Sequence, residues 1–301
     1  MQQADLLIIG GGPAGVTAAI YAARKGLDFM MISRDIGGQA AWSGRIENYT
    51  GCQVVSGPEL TARFEEHLKK FSIRLVQPET ALSLTRDGGR FRVSGERDAY
   101  SASAVIVATG KRSRLLGVKG EKEFLGRGLT YCAVCDGPLF AGRDVAVIGG
   151  GNSALDAALQ MSRIASRVYV LESSGSFTAD TILIDRLSAA GNVEVYKNAS
   201  VIEVRGGRFV EDIRFSAQGK ESILPVRGVF VEIGLVPNSE FAAIASRNGK
   251  REIKVDCSNG TDVPGLFAAG DVTDVPEKQI IIAAGDGAKA ALSAARYLLS
   301  F

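Results

Sequence analysis

Two cysteines and an aspartate in the middle of the chain have the spacing of a redox centre. Cys132 and Cys135 are separated by two residues, and Asp136 follows directly. Thiols at this spacing can close a small disulfide ring, and the adjacent carboxylate can give or take a proton as the ring opens. A CxxC can also be half of a zinc site, but the chain has no second pair, and His67 is its single histidine. We therefore expect a redox-active disulfide and no metal.

A glycine-rich turn near the N-terminus has the context of a dinucleotide site. The apolar run Leu6–Ile9 predicts a buried parallel strand, the sequence GGGPAG follows at once, and Val16–Arg24 predicts a helix. In this arrangement Gly10 permits the tight turn, Gly12 lets the backbone approach a pyrophosphate, and Gly15 allows close packing. The free N–H groups at the start of the helix favour an anion. The segment therefore predicts nucleotide binding.

A second glycine turn repeats this arrangement. Asp144–Ile148 predicts a strand, the sequence GGGNSA begins at Gly149, and Leu155–Ser162 predicts a helix. The following strand, Val168–Leu171, ends at Glu172, where a carboxylate would accept hydrogen bonds from the adenosine ribose and repel a 2′-phosphate. This charge favours NAD(H) over NADP(H). The alternative, that Glu172 only ends a strand in solvent, stays open from sequence.

Length and composition fit two nucleotide domains. The chain has 301 residues with 36 glycines and 8 prolines, which is typical of many tight strand-to-helix turns. Its formal net charge is +2 without a long basic block, so nothing predicts nucleic-acid binding. The first strand begins close to Met1, and no apolar run approaches the roughly 20 residues that cross a bilayer. We expect a cytoplasmic protein without a membrane segment.

The order of the segments predicts an interrupted domain. Residues 1–111 contain the first glycine turn and a polar stretch, 78–100, that could form a small hairpin; residues 237–301 end in a predicted helix. Between them, 112–236 contain the CxxC and the second turn. We expect an α/β protein of two Rossmann-like, three-layer dinucleotide-binding domains, with the NAD(H) domain inserted into the FAD domain. Short glycine- or proline-containing connections could act as a hinge.

Over nearly its whole length the chain resembles the low-molecular-weight thioredoxin reductases, class II pyridine nucleotide-disulfide oxidoreductases. The strongest signal is the cysteine pair with Asp-Gly ahead of the second nucleotide turn. The matching stretches are GGGPAG at 10–15, GGQ at 37–39, IENYTG at 46–51, VATG at 107–110, CAVCDG at 132–137, GGGNSA at 149–154 and AAGDVTD at 268–274.

The resemblance implies FAD in the first domain, a homodimer, and rotation of the nucleotide domain between two catalytic arrangements. It also assigns the thiols: Cys135 lies against the flavin, Cys132 attacks the partner, and Asp136 protonates the leaving thiolate. The predicted cofactor-binding residues are Gly10, Gly12, Pro13, Ala14, Gly15, Gly38, Gln39, Asn48, Thr109, Gly110, Gly149, Gly151, Asn152, Ser153, Glu172, Gly270, Asp271, Gln279 and Ile280.

One departure from the family concerns the nicotinamide. NADPH-using members carry an HRRxxxR stretch after the second-domain strand, whereas here Ser173, Ser174 and Thr178 fill the three arginine positions after Glu172. The cations that a 2′-phosphate needs are therefore missing. This region and QIIIAAGDGAKAA at 279–291 are more similar to the flavoprotein subunit of alkyl hydroperoxide reductase, an NADH enzyme. The resemblance therefore implies NADH, with NADPH the poorer donor.

That flavoprotein subunit carries its own thioredoxin-like acceptor region ahead of the flavin domain. Because the flavin domain here begins at the first residue, we expect no internal acceptor and a separate thioredoxin-like or glutaredoxin-like dithiol protein instead. Two alternatives are a ferredoxin-fed reductase and a low-turnover flavin- and nucleotide-binding sensor. The retained GGGNSA turn and Glu172 argue against the first. The intact cysteine pair with Asp136 and both glycine turns argue against the second. A flavoprotein of the ferredoxin–NADP reductase type would lack Cys132 and Cys135.

Overall fold

The structure, a computed structural model, describes residues 1–43 and 46–300. In chain order the strands are β1 Gln2–Ile9, β2 Phe29–Ile32, β3 Arg74–Val76, β4 Ala81–Asp87, β5 Arg90–Gly95, β6 Ala99–Val107, β7 Lys111–Ser113, β8 Leu129–Thr130, β9 Asp144–Ile148, β10 Arg167–Glu172, β11 Val193–Lys197, β12 Ala199–Gly206, β13 Val210–Ala217, β14 Lys220–Pro225, β15 Gly228–Val231, β16 Leu235–Pro237 and β17 Leu266–Ala268.

The helices lie between groups of these strands, and the last helix follows the last strand. They are α1 Pro13–Arg24, α2 Gly57–Leu68, α3 Glu121–Phe124, α4 Ala133–Asp136, α5 Asn152–Ser162, α6 Thr181–Ser188 and α7 Ile280–Leu298, with short 3₁₀ helices at Gly38–Trp42, Gly137–Phe140, Glu240–Ala242 and Gly270–Val272. None of the helices in the described ranges combines the length and apolar character needed to cross a membrane.

The chain divides into two compact units. One comprises Met1–Arg112 and Val236–Phe301, and the other comprises Ser113–Leu235. Where the chain passes between the units, β7 and β16 pair as a two-stranded sheet.

The first unit is built on a parallel sheet whose two faces are both covered. Strands β3, β2, β1 and β6 lie side by side, β17 also pairs in parallel with β6, and the antiparallel β4–β5 hairpin extends the sheet from β6. Because side chains alternate along a strand, Leu6 and Ile8 pack with α1 and α7, whereas Leu7 and Ile9 pack with hairpin residues such as Phe91. The polar stretch therefore forms the predicted hairpin.

The second unit has the same three-layer plan. Its parallel sheet has the order β11-β10-β9-β15-β8. Val145 and Val147 face α5 and α6, whereas Ala146 and Ile148 face the antiparallel sheet β12-β13-β14. This architecture confirms the predicted α/β class. The carboxyl ends of β8, β15, β9 and β10 lie at one sheet edge, where α/β folds place their ligands.

Candidate active site

The two central cysteines form a disulfide at the carboxyl end of β8. The Cα atoms of Cys132 and Cys135 are 5.4 Å apart. Cys132 is the N-cap of α4, and its Sγ accepts a hydrogen bond from the Cys135 backbone N–H at 3.1 Å. This hydrogen bond would become stronger if the Cys132 sulfur carried a negative charge. Cys135 is exposed and Cys132 is half-buried.

Thr130 links both ends of this redox segment, and sequence reasoning missed it. Its buried hydroxyl donates to Asp136 Oδ2 at 2.5 Å and accepts from the Cys132 backbone N–H at 3.1 Å. The Asp136 backbone N–H donates to the Cys132 carbonyl oxygen at 3.2 Å. The carboxylate is therefore fixed beside the cysteine pair. The only sequence signal for Thr130 was its position two residues before Cys132.

A cavity of about 660 Å³ opens next to Asp136 within the second unit. Its lining combines apolar side chains with two arginines: Thr130, Leu139, Phe209, Arg143 and Arg227. Leu139 is 77% exposed and Phe209 is 55% exposed, so apolar surface faces solvent beside the redox segment. Such a surface is typical of a contact region for another molecule.

The first glycine turn has the backbone conformation that its sequence predicted. Gly10 has φ +115°, and a Cβ atom there would lie 2.3 Å from the Ala108 carbonyl oxygen. A Cβ atom at Gly15 would lie 1.8 Å from the Gly10 carbonyl oxygen. Gly12 differs, because nothing lies within 4 Å of its Cβ position. The turn is therefore closely packed on its protein side and open at Gly12.

The open side of this turn fits a pyrophosphate. Gly12 is the N-cap of α1 without a side-chain cap, so the first N–H groups of the helix keep no side-chain acceptor there. Pro13, the first helical residue, has no N–H to leave unpaired. Gly38 lies on the same side, since its Cβ position is 3.4 Å from the Gly12 Cα. Helix N-termini of this kind bind phosphate groups.

The remaining residues predicted for FAD all lie in the first unit. The Gln39 side chain donates to the Lys111 carbonyl oxygen at 2.8 Å, and the Asn48 side chain donates to Gln279 Oε1 at 3.0 Å. Gln279 is the N-cap of α7, which begins at Ile280. The Thr109 hydroxyl donates to the Asn238 carbonyl oxygen at 2.7 Å.

Three of the residues predicted for FAD are small: Ala14, Gly110 and Gly270. Ala14 is buried, and its Cβ lies 3.0 Å from the Cβ position of Gly270. Gly110 has φ +62° with open space at its Cβ position. Asp271 follows Gly270 in a 3₁₀ helix, and burial raises the pKa of its carboxyl group above the usual value. A half-buried carboxylate therefore lies just after the end of β17.

An ion cluster near Asp271 was also missed from the sequence. Glu252 Oε1 lies 2.8 Å from Lys111 Nζ and 3.5 Å from Lys278 Nζ. Burial opposes the charged form of Glu252, but hydrogen bonds from Lys111 and Asn248 outweigh it and lower the pKa to about 2. Both lysines also favour the charged form of Asp271. Lys111 and Glu252 are 141 residues apart, so no local pattern could have paired them.

The second glycine turn resembles the first, because it is closely packed at Gly149 and open at Gly151. Gly149 has φ +132°, and a Cβ atom there would lie 2.3 Å from the Glu232 carbonyl oxygen. The Cβ position of Gly151 has only Thr178 Oγ1 near it, at 3.7 Å. Asn152 begins α5 and exchanges two hydrogen bonds with Asp180, of 2.9 and 2.8 Å, while Ser153 is exposed in the first turn of the helix.

Glu172 lies against this turn. A Cβ atom at Gly150 would be 2.2 Å from Glu172 Oε2, so the glycine admits the carboxylate. The other oxygen, Oε1, accepts from the Ser174 backbone N–H at 2.7 Å and from the Ser173 hydroxyl at 3.2 Å. The carboxylate is therefore oriented by its own loop beside the start of α5. This geometry can bind a ribose diol.

The two open glycines allow a test of the two turns. Gly12→Val should lower the FAD content of the purified protein at least about tenfold, because the new side chain fills the pyrophosphate position. Gly151→Val should keep the FAD and raise KM for NADH by a similar factor. Both positions have extended backbone, with φ −73° and −89°, so neither substitution strains the fold.

Flavin absorbance per protein and steady-state kinetics measure the two effects, and each variant is the control for the other. Equal FAD content in Gly12→Val and wild-type protein would contradict the assignment of the first turn.

Known proteins are similar to this chain over nearly all of its length. The sequence profile of the pyridine nucleotide-disulphide oxidoreductases matches residues 4–288. The NADH dehydrogenase of Bacillus subtilis (strain 168) is 45% identical over 299 residues, which cover 98% of this chain and 58% of that protein. An alkyl hydroperoxide reductase subunit of Staphylococcus aureus (strain MSSA476) is 42% identical over 299 residues, covering 98% of this chain and 59% of that protein.

A solved structure matches the chain over its whole length. Lactococcus lactis thioredoxin reductase (FR conformation) superposes with a TM-score of 0.87 at 31% identity, covering 99% of this chain and 100% of that one. The chain thus spans less than two thirds of the two relatives named above but all of this reductase.

Proposed function

The chain belongs to the pyridine nucleotide-disulphide oxidoreductase family, and from this premise we propose that it is an FAD-dependent disulfide reductase of the thioredoxin reductase type. It takes electrons from NADH in preference to NADPH and passes them through Cys132 and Cys135 to a thioredoxin-like or glutaredoxin-like dithiol protein. The observation that carries the proposal is the disulfide at the carboxyl edge of the second unit's sheet, with Asp136 fixed beside it by Thr130.

The cofactors fit the residues that the fold leaves open. FAD, held by the Gly10–Gly15 turn, would supply the two-electron relay between the nicotinamide and the disulfide. Gly12, Gly38 and the start of α1 would hold its pyrophosphate, and Asp271 a hydroxyl of its sugar chain. Gly151, with the start of α5, would hold the nicotinamide dinucleotide.

NADH preference is supported by the loop after β10. The Glu172 carboxylate would accept the ribose hydroxyls and repel a 2′-phosphate. Ser173, Ser174 and Thr178 are neutral, and Thr178 is anchored by its backbone N–H to the Gly150 carbonyl oxygen at 2.9 Å. None of these side chains can supply the positive charge that a 2′-phosphate requires.

Transfer to the acceptor follows from the geometry of the cysteine pair. In the reduced enzyme the Cys132 thiolate, with the Cys135 N–H donating to its sulfur, attacks one sulfur of the acceptor disulfide. The acceptor disulfide breaks as a mixed disulfide forms, and Asp136 supplies a proton to the leaving sulfur. Cys135 then gives up its proton and attacks the Cys132 sulfur, which restores the internal disulfide. The released acceptor sulfur takes up that proton, so the acceptor leaves as a dithiol.

The cavity beside Asp136 supports a protein acceptor. Exposed Leu139 and Phe209 give it an apolar rim within the same unit as the cysteines. A large partner can bury such surface while its disulfide reaches Cys132.

Anaerobic titration of the yellow protein tests the proposal. NADH should bleach the flavin with a total uptake of about two hydrides per flavin, one for the flavin and one for the two-electron disulfide couple. NADPH should bleach it far more slowly. A protein in which both cysteines are replaced by serine is the control and should take up about one hydride. Bleaching by neither nucleotide would contradict the proposal and favour the ferredoxin-fed or sensor alternative.

A further inference from the structure

Lys197 lies beside Glu172 at the carboxyl edge of the second unit's sheet, and the proposed function does not use it. The two residues are direct partners in the register of the parallel strands β10 and β11. Val168 and Val170 on β10 and Val193 on β11 pack in the cluster that faces α5 and α6. Each valine is an even number of residues away from Glu172 or Lys197 on its strand. Because side chains alternate along a strand, Glu172 and Lys197 start from the same face of the sheet.

The ammonium group of Lys197 lies over the loop that follows Glu172. Its Nζ is 5.4 Å from the centroid of the Phe177 ring, a distance at which a cation is attracted to the face of the ring. The next residue along the chain, Asn198, donates its backbone N–H to the Ser174 carbonyl oxygen at 3.0 Å. The end of β11 is therefore joined to the loop that would adjoin the adenosine ribose.

Glu172 and Lys197 do not form an ion pair with each other. The Glu172 carboxylate lies against Gly150 and accepts hydrogen bonds from Ser173 and Ser174. The ion pairs of this unit are formed by Lys119, Arg205 and Arg214 with Glu203, Asp212 and Glu221. Within residues 1–43 and 46–300, no carboxylate is close enough to Lys197 Nζ for an ion pair, and the lysine is exposed. A cation without a protein counter-ion thus lies next to the strand end that carries Glu172.

A phosphate on the adenosine 2′-oxygen is the group that this cation is placed to bind. A dinucleotide at the carboxyl edge of such a sheet has its adenosine ribose at the end of the strand that carries the acidic residue, here Glu172. Glu172 would repel a 2′-phosphate, whereas Lys197 would attract it. Adjacent strands are only about 4.8 Å apart, so a lysine side chain on β11 can reach a group bound at the end of β10.

We propose that Lys197 is a second specificity-determining residue of the dinucleotide site, which binds a phosphate on the adenosine 2′-oxygen and so preserves part of the affinity for NADPH that Glu172 opposes. The inference rests on the proposed function in placing the adenosine half of a nicotinamide dinucleotide at the second glycine turn. Selection between the two nucleotides is then a balance of opposite charges on neighbouring strands. NADH remains the preferred donor, because its neutral hydroxyls bind Glu172 while a 2′-phosphate is held against the repulsion of that carboxylate.

Substitutions at the two positions should have opposite effects. Lys197→Gln should weaken the binding of NADP⁺ more than that of NAD⁺, because only NADP⁺ carries the 2′-phosphate. Glu172→Gln should change the ratio of the two dissociation constants in the other direction. Lys197→Arg keeps a positive charge that can lie over the Phe177 ring, so it should preserve the ratio.

Isothermal titration calorimetry of the oxidised, FAD-loaded protein with NAD⁺ and NADP⁺ tests the proposal. These dinucleotides differ only in the 2′-phosphate, and neither carries a hydride to the flavin. At an ionic strength of about 0.03 M, where screening is weak, the ratio of Kd for NADP⁺ to Kd for NAD⁺ should rise at least about fivefold in Lys197→Gln. In Lys197→Arg it should stay within about twofold of the wild-type ratio. Lys220→Gln, which removes an exposed cation from β14 of the same unit, is the matched control and should keep the wild-type ratio.

The salt dependence separates an effect of charge from an effect of packing. At an ionic strength of about 0.5 M, the ratios in wild-type protein and Lys197→Gln should differ by less than about twofold, because salt screens exposed charges. Loss of the contact with Phe177 alone would change both Kd values alike and leave their ratio constant. Equal ratios in the two proteins at low salt would overturn the inference, as would a difference that persists at high salt. Failure of the proposed function would appear separately, as absent binding of NAD⁺ to the wild-type protein, which would remove the site itself.

Discussion

Replacing Cys135 by serine should leave reduction of the flavin by NADH intact and lower the reduction of an acceptor protein by at least about 1,000-fold, equal to about 4 kcal/mol in the transition state. The reason is that release of the acceptor requires a second thiol to break a covalent bond. With a single thiol left, Cys132 can attack an acceptor disulfide but cannot release the acceptor, since the sulfur that resolves the mixed disulfide is missing.

Two readouts measure this effect independently of the identity of the natural acceptor. Turnover is followed with a purified thioredoxin and a purified glutaredoxin, and the thiols formed per flavin are counted after anaerobic addition of NADH. The wild type should gain about two thiols from its two-electron disulfide, and Cys135→Ser should gain none.

The chain supplies a matched control. Cys257 is a free, exposed cysteine, so Cys257→Ser makes the same atomic change away from the disulfide. It should keep the full rate and the full thiol yield. Turnover of Cys135→Ser close to that of Cys257→Ser would exclude the disulfide from the electron path.

The second large effect concerns nicotinamide selection. The triple variant Glu172→His, Ser173→Arg and Ser174→Arg should shift the ratio of kcat/KM for NADH over NADPH by at least about 100-fold toward NADPH, or about 2.7 kcal/mol. Hydrogen bonds from a charged donor contribute about 1.5–3 kcal/mol each, so one well-placed arginine would suffice. Removal of the Glu172 carboxylate also ends its repulsion of the 2′-phosphate.

Variants that change only the carboxylate or only the serines separate the two causes. Glu172→Gln should mainly raise KM for NADH, because the ribose loses a charged acceptor, while kcat stays near the wild-type value. Ser173→Arg with Ser174→Arg should mainly lower KM for NADPH. Ser188→Arg, at the exposed end of α6, adds positive charge to the same unit outside the loop and should leave the ratio unchanged. An unchanged ratio in the triple variant would place ribose selection elsewhere.

The position of Glu172 shows why these two causes are linked. Its carboxylate orients the Ser173 hydroxyl and the Ser174 backbone N–H, so the loop that would carry the arginines is shaped by the group they would replace. The triple variant must therefore rebuild the loop as well as its charge. Because the rebuilt loop can place the arginines differently toward each nucleotide, KM for NADH and KM for NADPH are both measured along with the ratio.

Family and fold were predictable from the sequence because their signals are local. Gly15 packs on the Gly10 carbonyl oxygen within the same strand–turn–helix segment, and Gly10 and Gly149 have the positive φ that such a turn favours for glycine. The α/β class and the resemblance to the thioredoxin reductases were confirmed by the fold and by the matches over the chain. The assignment of individual residues to FAD or NADH stays a prediction.

The role of Glu172 could be inferred only from the sequence and the structure together. The sequence placed a carboxylate at Glu172 after a strand, but it could not distinguish a ribose ligand from a solvated strand end. In the structure the Glu172 carboxylate lies against Gly150, 22 residues before it, because β9 and β10 are adjacent parallel strands. That contact makes the ribose assignment specific enough to test.

The sequence by itself determined the chemistry that depends on covalent spacing: the cysteine pair with its neighbouring Asp136, and the two glycine turns. Only the tertiary structure decided what surrounds them. Glu232 is 83 residues beyond Gly149, and its carbonyl oxygen meets the second glycine turn only because β9 and β15 are adjacent parallel strands that end at the same edge. Pairing of distant strands is a long-range packing result, and no local sequence pattern encodes it.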